Sequence, residues 1–115
     1  MTHYEEPEKS IVGINNAYDS FMEATERAYN IGEALIEAET ELDKRKAKAL
    51  VSGEIDGKNE GARAAQAIEM FPQHYADVDR LNRLSREAKL RLDLTRIHVE
   101  RVRALLRLAE LTQPT

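Results

Sequence analysis

The chain has 115 residues and a net charge of −4, with 33% charged and 42% hydrophobic residues but only 2 Phe, 4 Tyr and no Trp. This composition is typical of long helices, and the absence of cysteine excludes disulfides and thiolate metal sites. No apolar stretch approaches the roughly 20 residues needed to cross a bilayer, and residues 1–10 lack the apolar run of a secretory signal. We therefore expect one cytoplasmic domain with no membrane partner.

The charge is unevenly distributed along the chain. Residues 1–43 contain 11 acidic and 2 basic side chains, whereas residues 44–115 contain 10 acidic and 15 basic ones. Such asymmetry is compatible with a half that binds nucleic acid. It is equally compatible with two halves that pair with each other.

A seven-residue repeat of apolar positions begins at Ile14 and predicts a long first helix with one buried face. These positions form the seam of the first helix: Ile14, Ala17, Phe21, Ala24, Ala28, Ile31, Leu35, Ala38, Leu42, Arg45 and Ala49. Glutamates between them predict a solvated outer face: Glu23, Glu26, Glu33, Glu37, Glu39 and Glu41. Gly32 interrupts the run, and we interpret it as a point where a partner helix approaches closely.

Residues 53–59 predict a turn between two helical arms. Gly53 suits a left-handed position just past a helix end, Asp56-Gly57 is a turn dipeptide, and Asn59 suits a helix cap. Further along, Pro72 predicts either a bend or the start of a new helix. The expected boundaries within a single domain are a first arm over about 8–52, a turn over 53–58 and a second arm over about 59–111.

The second arm has two apolar stripes at helical spacing. The first stripe is Leu81, Leu84, Ala88, Leu92, Val99, Val102, Leu106 and Ala109. The second stripe is Leu90, Leu94, Ile97, Leu105, Leu108 and Leu111. One partner helix covers only one stripe, so the second predicts self-association, most simply as a homodimer. The candidate interface residues are Leu90, Leu94, Ile97, Leu105 and Leu108.

Folding the chain about Asp56 predicts an all-α, coiled-coil-like antiparallel hairpin. The predicted pairs are Ile14 with Ile97, Phe21 with Leu90, Ala28 with Leu84, and Leu35 with Ala76. The same register brings acidic and basic residues together: Asp19, Glu23 and Glu26 with Arg83, Arg86, Lys89 and Arg91. Four further pairs, each an acid four residues before a base, favour the helices themselves: Glu23/Arg27, Glu41/Arg45, Asp79/Arg83 and Glu87/Arg91.

No catalytic, cofactor or metal signature is present, and we do not expect an enzyme. The three histidines, His3, His74 and His98, belong to no recognised metal-ligand pattern. Residues 54–60 lack the full set of alternating acidic ligands of a calcium loop and include Lys58.

Two basic clusters need an explanation. The turn cluster is Lys44, Arg45, Lys46, Lys48, Lys58 and Arg63, and the arginine series is Arg80, Arg83, Arg86, Arg91, Arg96, Arg101, Arg103 and Arg107. Pairing with the acidic first helix accounts for the arginine series, and a solvated helix end accounts for the turn cluster. No aromatic residues interleave with either cluster, so stacking on nucleic-acid bases is not indicated.

Residues 53–66, which we call the turn segment, read GEIDGKNEGARAAQ. They resemble a turn in small uncharacterised helical-hairpin proteins of bacteriophages and prophages. The resemblance implies a phage or prophage origin, a hairpin and no assigned activity. It also marks Lys58, Asn59, Arg63 and Gln66 as candidate partner-binding residues. A structural interpretation of these residues remains open: Asn59 caps the second arm, and Arg63 and Gln66 bond back to the loop.

The sequence thus predicts a non-enzymatic helical interaction protein without cofactors. Its expected partners are a second copy of itself and an unidentified host or phage protein. A nucleic-acid-associated protein that uses the turn cluster is the less favoured alternative, and an architectural spacer is a third.

Overall fold

The computed structural model describes residues 7–112, and the side chains of residues 11–112. Helix α1 spans Pro7–Ser52, α2 spans Glu60–Met70 and α3 spans Pro72–Thr112. No strand occurs in this part of the chain, so the all-α prediction is confirmed. His3 lies outside the described residues.

Local chemistry explains where the helices end. Gly53 follows α1 with a φ of 82°, which an L side chain rarely adopts. Phe71 separates α2 from α3 with a φ of −125° and a ψ of 51°. Pro72 then begins α3, where its missing N–H costs no helical hydrogen bond.

The seam of the first helix is confirmed at all positions but one. Ala17, Ala24, Leu42 and Ala49 are buried and the other apolar seam positions are half-buried, while the glutamates between them are exposed. Arg45 is the exception, because it is exposed and Lys46 occupies the half-buried position instead.

The first stripe of the second arm also faces inward. Ala88 and Val99 are buried, and its other members are half-buried. Ser85 and Thr95, each 8% exposed, also face inward. Thr95 fills the gap between Leu92 and Val99, and Ser85 lies next to Leu84. The Thr95 hydroxyl donates to the carbonyl oxygens of Arg91 and Leu92 at 3.0 and 2.9 Å, which offsets the cost of its burial.

The chain divides into two compact units. The first contains the described residues up to Tyr29 and those from Glu87 onward, and the second is Asn30–Arg86. In the first unit the most deeply buried side chains are small ones on both helices: Ala17, Ala24, Ala88, Thr95 and Val99. In the second unit the core is built around Ala49, Ile55 and Ala67.

Two of the predicted pairs, Ile14 with Ile97 and Phe21 with Leu90, are wrong. Leu90 is 59% exposed and Ile97 is 55% exposed, so neither is covered by α1. The predicted partner of Leu35, Ala76, is also exposed. Leu90 and Ile97 belong to the second stripe, so counting residues outward from Asp56 matched the seam of α1 to the wrong face of α3.

The predicted pairing of acidic and basic side chains between helices is likewise not seen. Among residues 11–112 the ion pairs are Glu41 with Arg45 at 2.8 Å and Asp93 with Arg96 at 3.3 Å, and both lie within one helix. The pair of Glu41 with Arg45 was predicted. The other three predicted pairs within a helix do not form: Glu23/Arg27, Asp79/Arg83 and Glu87/Arg91. Gly32 is not a point of close approach either, because an added Cβ would meet nothing within 4 Å.

Candidate functional site

The turn segment is built on the carbonyl groups at the end of α1. The Gly53 N–H donates to the Leu50 oxygen at 3.3 Å, and the Ile55 N–H donates to the Ala49 oxygen at 3.1 Å. The Ser52 hydroxyl donates to the same Ala49 oxygen at 3.1 Å. These bonds satisfy carbonyl groups that a helix end leaves without partners, and they direct the chain back toward α1.

Ile55 anchors the turn segment in a small apolar core. Its side chain is 5% exposed and packs with Ala49 of α1 and Ala67 of α2. Partly buried side chains surround this cluster: Met70, Phe71 and Tyr75. Two interactions of aromatic rings border this cluster. The ring of His74 packs edge-on against that of Phe71, with 6.0 Å between the ring centres. Lys46 Nζ lies 5.8 Å from the centre of the Tyr75 ring, in a cation–π contact.

Gln66 fixes the middle of the loop from the second turn of α2. Its Oε1 accepts from the N–H groups of Asp56 at 3.1 Å and Gly57 at 2.8 Å, and its Nε2 donates to Asp56 Oδ1 at 2.8 Å. One amide side chain therefore satisfies two backbone donors and one carboxylate oxygen. The loop conformation depends on it.

Asn59 and Arg63 complete the junction between the loop and α2. Asn59 caps the helix, its Oδ1 accepting from the Ala62 N–H at 2.8 Å. The Arg63 guanidinium donates to the Gly57 carbonyl oxygen at 3.1 Å. Gly57 itself lies so close to the first turn of α2 that an added Cβ would be 2.8 Å from the Arg63 backbone nitrogen.

The four candidate partner-binding residues thus divide into two groups. Asn59, Arg63 and Gln66 are engaged in holding the loop on α2, as their structural interpretation predicted. Lys58 is exposed, and no ion pair includes it in the described part of the chain. Their binding role stays a prediction, and Lys58 is the exposed member that holds no part of the loop.

The turn cluster is partly engaged in the same way. Arg45 pairs with Glu41, Lys46 lies over Tyr75 and Arg63 bonds the loop. Lys44, Lys48 and Lys58 are exposed and form no ion pair within residues 11–112. Three lysines therefore remain as the solvent-facing charge of this cluster.

The second stripe of α3 is exposed along its full length. The five candidate interface residues, Leu90, Leu94, Ile97, Leu105 and Leu108, are between 52% and 59% exposed, and Leu111 is 78% exposed. Isolated exposed leucines are ordinary on protein surfaces, whereas here six large apolar side chains are exposed along one helix.

A further exposed apolar row on α1 escaped the sequence analysis. Ile11, Tyr18, Met22 and Tyr29 are 57%, 39%, 61% and 67% exposed. Their spacing of seven, four and seven residues is the same heptad signal as the buried seam, displaced around the helix. The sequence signal for this row is a second heptad repeat on the first helix, comparable to the second stripe of the second arm.

A shallow polar depression on α3 is lined by Asp79, Asn82, Arg83 and Arg86. No group of three or more potential metal ligands comes together in residues 7–112. None of the described helices combines the length and the apolar content needed to cross a membrane.

Comparison with known proteins gave no relatives: the chain matches no protein-family model, no curated protein and no solved structure.

Proposed function

We propose that this chain is a non-enzymatic helical interaction protein that forms a homodimer through α3 and binds another protein. The second stripe of α3 carries this proposal. It places five large apolar side chains, each more than half exposed, along one helix. Covering that row removes apolar surface from water, which is the main favourable term in protein association.

The proposed architecture is an antiparallel hairpin with α1 as one arm and α2 and α3 as the other, interrupted near Pro72. The packing of Ala49 against Ala67 in the second unit supports a return of the chain beside α1. The inward-facing seam of α1 and the inward-facing first stripe of α3 also support it.

The turn segment is the proposed docking site for the partner protein. Its loop is held by Gln66, Asn59 and Arg63, so it presents Lys58 from a rigid base. Loops on rigid scaffolds are frequent binding sites. The resemblance of residues 53–66 to phage and prophage hairpins makes a phage accessory factor, acting on a host or phage protein in the host cytoplasm, the concrete form of the proposal.

Nucleic-acid association is the second candidate function. The exposed Lys44, Lys48 and Lys58 favour it, since solvent-facing cations near a turn are available to phosphate groups. The net charge of −4 disfavours it, because the whole chain repels a polyanion.

Self-association is tested by sedimentation of the unaltered chain and of two variants. Leu94→Glu with Ile97→Glu places charges in the second stripe and should convert a dimer to a monomer. Ile68→Glu on α2 is the matched control, because Ile68 is 53% exposed and Leu94 is 52% exposed. A monomeric unaltered chain at micromolar concentration would refute the proposal.

Partner binding is tested by affinity capture followed by measurement with the purified partner. Lys58→Ala should weaken binding, and Glu69→Ala, an exposed change on α2, should not. Binding to DNA or RNA that falls steeply with salt and is lost when Lys44, Lys48 and Lys58 become Ala would favour the second candidate. If the unaltered chain binds neither a protein nor a nucleic acid, the architectural spacer is the remaining function.

A further inference from the structure

The second stripe belongs to a longer regular pattern on α3. Leu90, Leu94, Ile97, Arg101, Ala104, Leu108 and Leu111 alternate at spacings of four and three residues, and all seven are exposed. This 3.5-residue repeat is the pattern of a helix that coils around a partner helix. The row covers about 32 Å of the helix, which is long enough for several layers of contact.

Arg101, in the middle of this row, decides the direction of the partner helix. In a parallel, in-register pair of two copies each residue of the row meets its own counterpart, so Arg101 would face the same arginine of the other copy. In an antiparallel pair the rows of the two copies run in opposite directions. Arg101 of one copy can then face the small side chain of Ala104 of the other. Like charges placed opposite each other destabilise a pair, so the antiparallel direction is favoured.

Apolar contacts and the charges beside the row favour one antiparallel register over the neighbouring register, which is shifted by one heptad. In one register Leu94 faces Leu111, Ile97 faces Leu108 and Arg101 faces Ala104, and Glu100 of each copy lies beside Arg107 of the other. In the other register Leu94 faces Ala104, Ile97 faces Arg101 and Leu90 faces Leu108. Asp93 of each copy then lies beside Arg107 of the other, but the two Glu100 side chains lie beside each other. The first register has more contacts between large apolar side chains, and it places no like charges of residues 90–112 side by side beside the row.

We propose that two copies of this chain pair antiparallel along α3, with Leu94 against Leu111, Ile97 against Leu108 and Arg101 against Ala104. The occupant of the second stripe is therefore the same stripe of a second copy. This inference rests on the proposed function, because it gives the geometry of the proposed dimer. The symmetry axis passes between Val102 and Arg103, so each contact occurs twice.

The absence of cysteine from the chain makes cross-linking a direct test, because every introduced thiol is unique. Leu94→Cys and Leu111→Cys variants, mixed and oxidised, should form a disulfide-linked dimer of one copy of each. Leu94→Cys alone should not cross-link, since two Leu94 positions in this register are about 25 Å apart along the axis. A disulfide needs Cα atoms within about 7 Å.

Each other outcome overturns the inference in a distinct way. Cross-linking of Leu94→Cys with itself indicates a parallel pair, and preferential linking of Leu94→Cys to Ala104→Cys indicates the other register. A dimer that shows none of these links uses another surface, such as the exposed row on α1. If the Leu94 and Leu111 variants sediment as monomers, Ile97→Cys mixed with Leu108→Cys makes the same test. A monomeric unaltered chain instead refutes the proposed self-association itself.

Discussion

Gln66 and Asp56 are joined by two hydrogen bonds in opposite directions. The Asp56 N–H donates to Gln66 Oε1 at 3.1 Å, and Gln66 Nε2 donates to Asp56 Oδ1 at 2.8 Å. A third bond, from the Gly57 N–H to the same Oε1 at 2.8 Å, makes Gln66 the main polar attachment between α2 and the loop. The consequence is that the turn segment has a defined shape although much of it is exposed.

Replacement of Gln66 by Ala should therefore destabilise the protein. The change removes three hydrogen bonds and leaves the Gly57 N–H in a half-buried position without its partner, at an expected cost of about 1–3 kcal/mol. Urea denaturation followed by circular dichroism measures this. Glu69→Ala, on the same helix but exposed, should change stability by less than about 0.5 kcal/mol. Equal stability of the two variants would contradict the role of Gln66.

Gly57 and Gly32 should respond in opposite ways to replacement by Ala. A Cβ at Gly57 would meet the Arg63 backbone nitrogen at 2.8 Å and the Ala62 Cβ at 2.9 Å, so the loop must shift. We expect a loss of about 1–3 kcal/mol, as for overpacking elsewhere. A Cβ at Gly32 meets nothing within 4 Å in the middle of α1, so Gly32→Ala should gain about 0.5–1 kcal/mol. Thermal melts of the two variants show directly whether each replacement raises or lowers the melting temperature.

The inward faces of the helices were largely predictable from the sequence because each follows a regular heptad spacing. The seam of α1 was found from Ile14 to Ala49, and the first stripe of α3 was found except for Ser85 and Thr95. These two were missed because polar side chains interrupt an apolar pattern, although their positions continue it. Thr95 is tolerated there because its hydroxyl bonds carbonyl groups of its own helix.

The register between the arms was not predictable by counting. The pairs Ile14/Ile97 and Phe21/Leu90 assume that the chain returns as one unbroken helix from Asp56. Ile55 turns inward against Ala49 and Ala67, and Phe71 leaves the helical conformation before Pro72. The pairs also used Leu90 and Ile97 of the second stripe, which is exposed, so the count matched the seam of α1 to the wrong face of α3.

The sequence predicted that the turn segment is a turn, but it did not determine what the turn does. Gly53, Asp56-Gly57 and Asn59 indicated a turn and a cap, and the Asn59 cap is present at 2.8 Å. The contacts of Arg63 and Gln66 with the loop were predicted as one of two interpretations. The sequence could not decide between them, because an exposed arginine and a loop-bonding arginine have the same spacing along a helix.

Variants at Lys58 and Arg63 should separate the binding of the partner protein from the stability of the fold. Arg63→Ala removes the hydrogen bond to the Gly57 carbonyl oxygen and should cost about 0.5–1.5 kcal/mol. Lys58→Ala removes an exposed side chain and should leave the melting temperature unchanged, while binding of the partner protein falls. Calorimetry of the melts and titration with the purified partner make the two measurements. If Lys58→Ala leaves binding intact, the turn segment is a structural element and not a docking site.

Exchange of the charges at Glu100 and Arg107 should report the proposed dimer register. Glu100→Arg alone places arginines side by side at two symmetric positions and should weaken dimerisation by about tenfold, equivalent to about 1.4 kcal/mol. The double variant with Arg107→Glu restores opposite charges and should return the dimerisation constant close to its original value. Sedimentation over a concentration series measures all three chains.

Glu110→Arg is the matched control, because Glu110 is exposed on α3, lies outside the repeating row and has Arg107 three residues away. It introduces the same repulsion within the helix without changing the dimer contacts, so it should not weaken dimerisation. In the other antiparallel register Glu100→Arg replaces two adjacent glutamates with two adjacent arginines and has little effect. Arg107→Glu would then break a pair with Asp93 of the other copy, and the double variant would stay weak. That pattern would replace the proposed register with its alternative.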